Sequence, residues 1–173
     1  MGYNYCYECG TKLEIKFLEH EGNIPFCPKC NDYRFPIFSS AVSMIILNKD
    51  LTKILLVKQY HKNFWRFVAG YINKGENAEI TVVREMGEEV SLKPFFIKTL
   101  RTKYFEPSNT LMISYLAVVD EDKVSPNFEI DEFKWFDIKD ADYALKDASL
   151  AKYFFDEFYD NEFKSIQQSF KNS

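Results

Sequence analysis

Apolar and polar residues follow a strand-like pattern over the middle of the chain. The apolar run "SAVSMIIL" leads through the turn-forming residues "NKDL" into a second apolar run, "TKILLVKQY", and this order predicts a β-hairpin over residues 41–60. Further strands are predicted in "FWRFVAG", in "FFIKTLRTKYF" and "TLMISYLAVV", which are joined through "EPSN", and in "DEFKWFDI". The pattern therefore predicts a sheet of several short strands.

Residues 77–90 have the helical period instead and predict a helix whose two sides differ in polarity. The predicted apolar side consists of Ile80, Val83, Met86 and Val90, and the predicted polar side of Ala78, Thr81, Glu85, Glu88 and Glu89. Strands with one central helix and one terminal helix predict a mixed-sheet α/β sandwich.

The terminal helix is predicted from apolar residues that recur at helical spacing from residue 148 to residue 170. Most of these residues are aromatic, and a core-packing face is the simplest interpretation. A contact between two copies of the chain, in a homodimer, is the alternative.

All four cysteines lie in the first thirty residues, before the predicted sheet. Cys6-x-x-Cys9 and Cys27-x-x-Cys30 are separated by seventeen residues, a spacing typical of sites where two turns present four thiolates to one zinc ion. The alternative is a pair of surface turns with free thiols. Because four sulfurs close the coordination shell, the predicted zinc is structural and not catalytic. Residues 1–35 are therefore predicted as a zinc ribbon, and residues 36–173 as the main domain.

The bulk composition narrows the functional classes. Of 173 residues, 46% are hydrophobic and 28% are charged, which is typical of a globular protein with a substantial core. The formal net charge of -4 disfavours a general nucleic-acid binder, although a local RNA site stays open. The first ten residues lack the features of a secretory signal, and the longest apolar run, "AVSMIIL", is too short to span a membrane. We therefore expect a cytoplasmic protein without membrane association.

Three carboxylates crowd one side of the predicted central helix. Residues three and four positions apart share a helical face, so Glu85, Glu88 and Glu89 project into one small volume. Like charges at this spacing destabilise an isolated helix, whereas a divalent cation such as Mg2+ is attracted to several carboxylates. Such a cation can draw electrons from a pyrophosphate and activate a water molecule. The alternative is a solvated acidic face without a ligand.

The spacing around these carboxylates favours a cation site. Gly70 is followed after five residues by Glu76 and, after seven more, by Arg84-Glu85-Met86-x-Glu88-Glu89-x-Ser91-Leu92. This register closely resembles the Nudix box, G-x5-E-x7-R-E-U-x-E-E-x-G-U, in which U is a bulky apolar residue. The resemblance implies the Nudix α/β/α sandwich for residues 36–173. It departs at Ser91, where the box has a glycine that fits positive φ at a helix C-terminus, so we expect serine either to bear some strain there or to end the helix differently.

A four-cysteine ribbon directly before a Nudix domain resembles the NADH pyrophosphatase family. The segments "YRFPIFSSAVSMII", "ILLVKQY" and "VAGYINKGEN" are similar to segments of that family. Its members cleave the pyrophosphate of NAD(H) to nicotinamide mononucleotide and AMP, some remove NAD caps from RNA, and related enzymes take ADP-ribose. The resemblance therefore implies a pyrophosphohydrolase that acts on a dinucleotide or a nucleotide-sugar.

The resemblance also implies roles for individual residues. The implied ligands of the catalytic Mg2+ or Mn2+ are Glu85, Glu88, Glu89, Glu129 and the Gly70 carbonyl. Arg84 would orient the glutamates through its planar guanidinium. Glu89 is the first choice for the general base, with Glu129 or Glu88 as alternates, and Glu76 would secure the junction between loop and helix.

Substrate contacts are implied at four positions, which are Tyr71, Phe35, Thr110 and Met112. The two aromatic residues would stack on a base. The selectivity motif of the family, S-Q-P-W-P-F-P-x-S, is replaced by "TKYFEPSNTLM", which lacks the tryptophan and the glutamine. The resemblance therefore supports the mechanism more strongly than it supports a choice among NAD(H), ADP-ribose and capped RNA.

A function of another class stays open beside the hydrolase. The protein would then be a nucleotide-sensing or RNA-binding module with little turnover, in which the ribbon makes contacts. Lys12, Lys16 and Lys29 give that ribbon only a thin basic surface. Steep salt dependence of RNA binding without hydrolysis would identify this alternative.

Overall fold

A computed structural model describes residues 4–121 and 123–171 of the chain. The chain divides into two compact units, with the boundary between Phe38 and Ser39. The sequence predicted a domain boundary after residue 35. That the two units are a zinc ribbon and a hydrolase domain stays a prediction.

The first unit is a three-stranded antiparallel sheet with the order β1-β2-β3. Its strands are β1 (Glu14–Leu18), β2 (Gly22–Cys27) and β3 (Asp32–Tyr33). Among the described residues of this unit, those that are buried are Cys6, Phe26, Cys27 and Arg34. A unit with so little buried apolar surface needs another source of stability, such as a metal.

The second unit is built on one mixed six-stranded sheet. Its strands are β4 (Ser39–Asn48), β5 (Lys53–Gln59), β6 (Val68–Tyr71), β7 (Pro94–Phe105), β8 (Thr110–Val119) and β9 (Ile130–Asp137). The order is β7-β8-β4-β5-β9, and β6 also pairs with β4. Strands β4 and β8 are parallel, and the other pairs are antiparallel. The predicted hairpin and the other predicted strands are confirmed.

Helices cover both faces of this sheet, as the sandwich prediction requires. They are α1 (Ala78–Val90), α2 (Ala141–Ala144), α3 (Leu150–Asn161) and α4 (Phe163–Lys171). Strand β4 is buried on both sides, which explains its continuous apolar sequence. The cluster on the α1 side includes Val42, Met44, Ile46, Val82, Met86 and Val90, and the opposite cluster includes Ile45, Leu47, Phe154, Phe155 and Phe158. No described helix combines the length and the apolar content that a membrane crossing needs.

The predicted sides of α1 were partly wrong. Ile80 and Val83 were placed on the apolar side but are 56% and 41% exposed. Thr81 and Glu89 were placed on the polar side but are buried. The buried stripe consists of Thr81, Val82, Met86, Glu89 and Val90. The helical period is compatible with the predicted apolar side and with the observed buried stripe, and only packing against β4 decides between them.

The single predicted C-terminal helix is also wrong, because α3 ends before Glu162 and α4 begins after it. The break lets Phe163 pack on α3, with its ring centroid 5.4 Å from that of Tyr159. Phe170 then reaches Phe96 of β7 at 5.2 Å. The core-packing interpretation of this aromatic face is confirmed, and the dimer contact stays a prediction.

Candidate functional site

Helix α1, which carries the acidic motif, ends at Ser91 in a left-handed backbone conformation. Ser91 has φ 56° and ψ 33°, and the amides of Ser91 and Leu92 both donate to the carbonyl oxygen of Met86. Glycine usually takes this conformation, because a side chain strains it. Ser91 Oγ donates to the Ser125 carbonyl oxygen over 2.9 Å, which offsets part of that strain. Of the two alternatives for Ser91, the structure shows the strained one, in which serine takes the positive φ of the motif's glycine.

Arg84 lies at the centre of a carboxylate network. Its Nε and Nη2 donate to the two oxygens of Glu76 at 2.8 and 2.9 Å. Its Nη1 donates to Glu85 at 2.7 Å and to Glu88 at 3.1 Å. Its Nη2 also reaches the Tyr71 carbonyl oxygen at 3.1 Å and thereby ties α1 to β6. These bonds use all five N–H donors of the guanidinium, and the contact with Arg84 lowers the pKa of Glu76 to about 2.

Gly70 of β6 makes room for the carboxylate of Glu85. A Cβ atom at residue 70 would collide with Cδ and Oε1 of Glu85, whose side chain is 12% exposed. Pairing with Val42 of β4 fixes the position of residue 70, so the strand cannot easily move aside. The glycine of the motif therefore leaves space for the Glu85 carboxylate, which a larger residue would displace.

Glu89 is the deeply buried carboxylate of the helix, with 4% of its surface exposed. It accepts a hydrogen bond of 2.7 Å from Gln59 Nε2 at the end of β5. Burial, together with the neighbouring charges of Glu85 and Glu129, raises the pKa of Glu89 to about 8. Without a cation, Glu89 is therefore mostly protonated at neutral pH, and a bound cation would favour its ionised form.

Glu129 precedes β9 and contacts the residue that follows β5. The Tyr60 hydroxyl donates to Glu129 Oε2 over 2.5 Å, and this bond raises the pKa of Tyr60 to about 12. Tyr60 has φ 54°, a strained conformation of the kind that clusters at functional sites. Glu132, the neighbouring acidic residue, is held instead by Lys58 at 2.7 Å. Of the two residues, Glu129 is the one whose charge acts on Glu89.

The carboxylates of α1 are held by neighbours and have not converged on one point. In the described part of the chain, the cysteines form the one cluster of three or more potential metal-ligating residues, with ligand atoms within 4.8 Å of one another. Arg84 holds Glu85 and Glu88, whereas Gln59 holds Glu89. Cation binding would therefore require small side-chain movements toward a common point.

Two of the implied substrate contacts flank a small residue on the other face of the sheet. The strand register places Ala41 of β4 between Tyr71 of β6 and Met112 of β8. Met112 packs with the cluster opposite α1, and Tyr71, 56% exposed, follows Gly70, which faces Glu85. Because side chains alternate along a strand, Tyr71 and Met112 lie on the face away from the carboxylates.

The other two implied substrate contacts differ in their exposure. Thr110 is buried, and its hydroxyl donates to the Ser108 carbonyl oxygen at 3.0 Å. Phe35 belongs to the first unit and is 49% exposed. Thr110 thus has a structural hydrogen bond, whereas the Phe35 ring is available for a contact.

The four cysteine sulfurs meet in the first unit. Cys9 Sγ lies 3.5 Å from Cys27 Sγ, and Cys6 Sγ lies 4.0 Å from Cys30 Sγ. A tetrahedral zinc ion with Zn–S bonds of about 2.3 Å holds its sulfurs roughly 3.8 Å apart, so this donor set fits zinc. The Cys30 amide also donates to Cys27 Sγ at 3.4 Å, as expected for a turn that presents sulfur ligands.

A buried arginine supports the cysteine cluster. Arg34 Nε donates to Cys6 Sγ at 3.2 Å, while the rest of the guanidinium binds Asp32 at 2.6 Å and Glu8 at 2.8 Å. Burial opposes ionisation of the Cys6 thiol, but the bond from Arg34 and the further hydrogen bonds from the Cys9 and Glu8 backbone and the Cys9 thiol together outweigh it, and the pKa of Cys6 is lowered to about 6. In contrast, hydrogen bonding to Cys9 raises the pKa of Cys30 to about 12. A bound cation would therefore be needed to ionise Cys30 at neutral pH.

Three residues near the acidic helix were missed by the sequence prediction: Gln59, Tyr60 and Arg66. Gln59 and Tyr60 end an apolar strand, and Arg66 is a charge inside the apolar run "FWRFVAG". A polar residue inside or directly after an apolar run was the signal that the sequence offered. The neighbouring residues in the sequence do not show which partner such a residue contacts.

Comparison with known proteins agrees with this architecture. Residues 38–158 match the family model described as NUDIX domain. The NAD-capped RNA hydrolase NudC of Pseudomonas aeruginosa is 23% identical over 153 residues, which cover 88% of this chain and 54% of the relative. The NAD-capped RNA hydrolase NUDT12 of Homo sapiens is 32% identical over 143 residues, which cover 78% of this chain and 31% of the relative. The chain thus spans about half, or less, of the length of these relatives.

The fold also resembles a solved structure over nearly its whole length. A NUDIX hydrolase from Nitrosomonas europaea has a TM-score of 0.62 at 18% identity and covers 92% of this chain and 94% of its own. This likeness concerns the fold, whereas the family model matches the sequence over well more than half of the chain. The chain therefore belongs to the Nudix family.

Proposed function

We propose that this protein is a metal-dependent pyrophosphohydrolase that cleaves a nucleoside diphosphate linked to another group. The observation that carries the proposal is the fit of Gly70, Arg84 and Glu85, in which the strand glycine admits the carboxylate and the arginine orients it. The named relatives, which are NAD-capped RNA hydrolases, support a substrate that contains the NAD pyrophosphate.

The residues of the acidic site have different proposed roles, which follow from their different surroundings. Glu85, Glu88, Glu89 and Glu129, with the Gly70 carbonyl, are the proposed ligands of Mg2+ or Mn2+. A cation bound there would draw electron density from the pyrophosphate and lower the pKa of an attacking water molecule. Glu89 is the proposed general base, because its burial keeps its affinity for a proton high. Arg84 keeps Glu85 and Glu88 in place through its bonds to both.

The cysteine cluster is proposed to bind one structural Zn2+, because its four sulfurs have the spacing of a tetrahedral site. Four free thiols suit a reducing compartment, which supports a cytoplasmic location. The first unit would then be stabilised by its ion and leave catalysis to the second.

The proposed substrate is NAD(H) or ADP-ribose, with release of AMP. Tyr71 and Met112, which flank Ala41 at the edge of the sheet where β4 and β8 begin, on the face away from the carboxylates, are proposed to contact the base. Thr110 is proposed to support this edge through its bond to Ser108. NAD-capped RNA is the alternative substrate, and little free-nucleotide turnover would then be expected.

The proposal is tested by incubating the protein with NADH, NAD, ADP-ribose, diadenosine polyphosphates and nucleoside triphosphates, each with Mg2+ or Mn2+. Released AMP and the second product are separated by chromatography, and an NAD-capped RNA is included as a separate substrate. Turnover should require the cation and should fall about 100-fold or more in Glu88→Gln and Glu89→Gln.

Glu79→Gln is the matched control, since Glu79 lies on α1 but contacts Tyr115 instead of the acidic cluster. This variant should keep wild-type turnover. Full activity of both Glu88→Gln and Glu89→Gln would refute the proposed site. Binding of nucleotide or RNA without any hydrolysis would identify a sensing or binding module.

A further inference from the structure

Arg66 differs from the other three arginines of the chain, which are Arg34, Arg84 and Arg101. Each of those three binds at least one carboxylate at 2.8 Å or less. Among the described residues, no carboxylate lies within ion-pair distance of Arg66. Its Nε is buried and has no hydrogen-bond partner there. In the part of the chain that the structure describes, Arg66 is thus a partly buried cation without a carboxylate counterion.

The sheet register puts Arg66 on the face that carries the acidic site. Its backbone pairs with Val57 of β5, and Val57 belongs to the cluster that packs against α1. Gln59, two residues further along β5, points to the same face and binds Glu89. The guanidinium therefore lies near the carboxylates without neutralising one.

The position of the guanidinium is fixed by an aromatic ring. Arg66 Cζ lies 4.4 Å from the centroid of the Phe64 ring, and Lys146 Nζ lies 5.6 Å from the same centroid. Two cations thus share one ring, and attraction to its π face holds the arginine in a defined orientation. A cation that is held in one orientation, and whose Nε–H donor has no partner, is suited to bind a ligand.

That ligand must be an anion, because a partly buried cation and a buried N–H donor both cost free energy until they are paired. Gln59 donates to Glu89 Oε2, and no ion pair joins Arg66 to a carboxylate among the described residues. A planar guanidinium binds phosphate oxygens in pairs, which makes arginine suitable for a phosphoryl group.

We propose that Arg66 binds a phosphate oxygen of the substrate pyrophosphate, on the side away from the cation ligands of α1. This assignment rests on the proposed pyrophosphohydrolase function. Arg66 would supply fixed positive charge where the leaving phosphate gains negative charge, and Lys146 would extend that charge toward solvent. The patch of Phe64, Arg66 and Lys146 thereby complements the acidic cluster on the other side of the pyrophosphate.

The experiment compares Arg66→Gln and Arg66→Lys with Arg101→Gln. Arg101 makes an ion pair with Glu157 outside the site, so it is a matched control for loss of an arginine charge. Binding of inorganic pyrophosphate with Mg2+ is measured by calorimetry, kcat and KM are measured with ADP-ribose, and melting temperature is recorded for each variant.

Arg66→Gln should weaken pyrophosphate binding about tenfold to 100-fold and lower kcat/KM by a similar factor. Its melting temperature should stay equal to or above that of the wild type, because an unpaired buried cation is removed. Arg66→Lys should recover part of the binding, and Arg101→Gln should match the wild type.

Unchanged pyrophosphate binding in Arg66→Gln would overturn the assignment, as would a wild type that binds no pyrophosphate. A lower melting temperature with unchanged binding would show that Arg66 is structural and would also overturn it. If Arg66→Gln does not fold, Arg66→Lys decides by the same readouts. Absence of turnover in the wild type would refute the proposed function alone, since pyrophosphate binding still reports on Arg66.

Discussion

The cysteine cluster and the acidic helix both gather potential cation ligands, but they hold them differently. In the first unit, Cys9 and Cys27 sulfurs already lie 3.5 Å apart, which is close to the spacing around a zinc ion. On α1, Arg84 holds two carboxylates, and the buried Glu89 is bound elsewhere, by Gln59. In the first unit the sulfurs are gathered at the spacing that a zinc ion requires, whereas on α1 the carboxylates are balanced by an arginine.

The difference follows from what stabilises each unit. The first unit has few buried apolar residues, so turns that fix the sulfurs and an ion that joins them must supply its stability. Helix α1 packs against β4 through Val82, Met86 and Val90, so the second unit keeps its fold without a cation. Its carboxylates can then stay movable, as a site that must admit a substrate requires.

Removal of zinc should have the largest effect, because it acts on the whole first unit. Structural zinc contributes on the order of 10 kcal/mol in small cysteine sites, so stripping the ion, or Cys27→Ser, should unfold β1, β2 and β3. Hydrogen exchange would show loss of protection over residues 14–33, while the second unit keeps its protection. Restored Zn2+, but not Mg2+, should reverse the change in the wild type. Unchanged protection after zinc removal would show that both units are stable without an ion.

Glu89→Gln should change the pH dependence of stability in the second unit. The folded-state pKa of about 8 lies above the unfolded value of about 4.3, so the folded state binds more protons between these limits. The free energy of unfolding of the wild type without Mg2+ should therefore fall as pH rises from about 4 to about 8. Glutamine cannot ionise, so the variant should be more stable than the wild type at pH 8.5 by roughly 1–3 kcal/mol.

Urea unfolding at pH 5.5 and pH 8.5, followed by a probe in the second unit, measures this difference. Added Mg2+ should raise the stability of the wild type at pH 8.5 and leave Glu89→Gln unchanged. Glu79→Gln, on the same helix, should keep the wild-type dependence. A pH-independent difference between wild type and Glu89→Gln would mean that burial does not disfavour the Glu89 charge.

Arg84→Lys should have a smaller effect on stability but a clear effect on turnover. Lysine offers one charge centre and cannot hold Glu76, Glu85 and Glu88 together as the planar guanidinium does. We expect stability to fall by about 1 kcal/mol and kcat/KM to fall about 10-fold to 100-fold.

Thermal unfolding and steady-state kinetics measure the two effects of Arg84→Lys, and Arg101→Lys is the control. Wild-type kinetics in Arg84→Lys would show that the carboxylates orient themselves without the arginine. The contrast with the cysteine cluster, whose turns fix its ligands, would then disappear.

The strands, the four-cysteine motif and the acidic motif of α1 could be predicted because each depends on residues within short segments of the sequence. The hairpin over residues 41–60 and the helix over residues 77–90 follow from short periods in the sequence, and both are present. The conformation of Ser91 was left open between strain and a different helix end, and the structure shows positive φ.

Other features depended on contacts between distant segments. Ile80 and Val83 were assigned to the core because the helical period alone admits two stripes. The break at Glu162 was missed because aromatic spacing continues across it, and only packing of Phe163 and Phe170 shows the change of direction. Gln59 and Tyr60 follow an apolar strand, and nothing nearby in the sequence names Glu89 or Glu129 as their partners.

The order of the amino acids alone establishes the cysteine pairs, the spacing from Gly70 to Arg84, and the crowding of Glu85 with Glu88 and Glu89. These are properties of residue type and local period, which need no knowledge of distant contacts. Packing in the folded chain establishes that Glu89 is buried against Gln59 and that Arg66 has no carboxylate within ion-pair distance in the described part of the chain. Burial and pairing come from strands far apart in the chain, so the charge state of a residue is set by neighbours that its own segment does not specify.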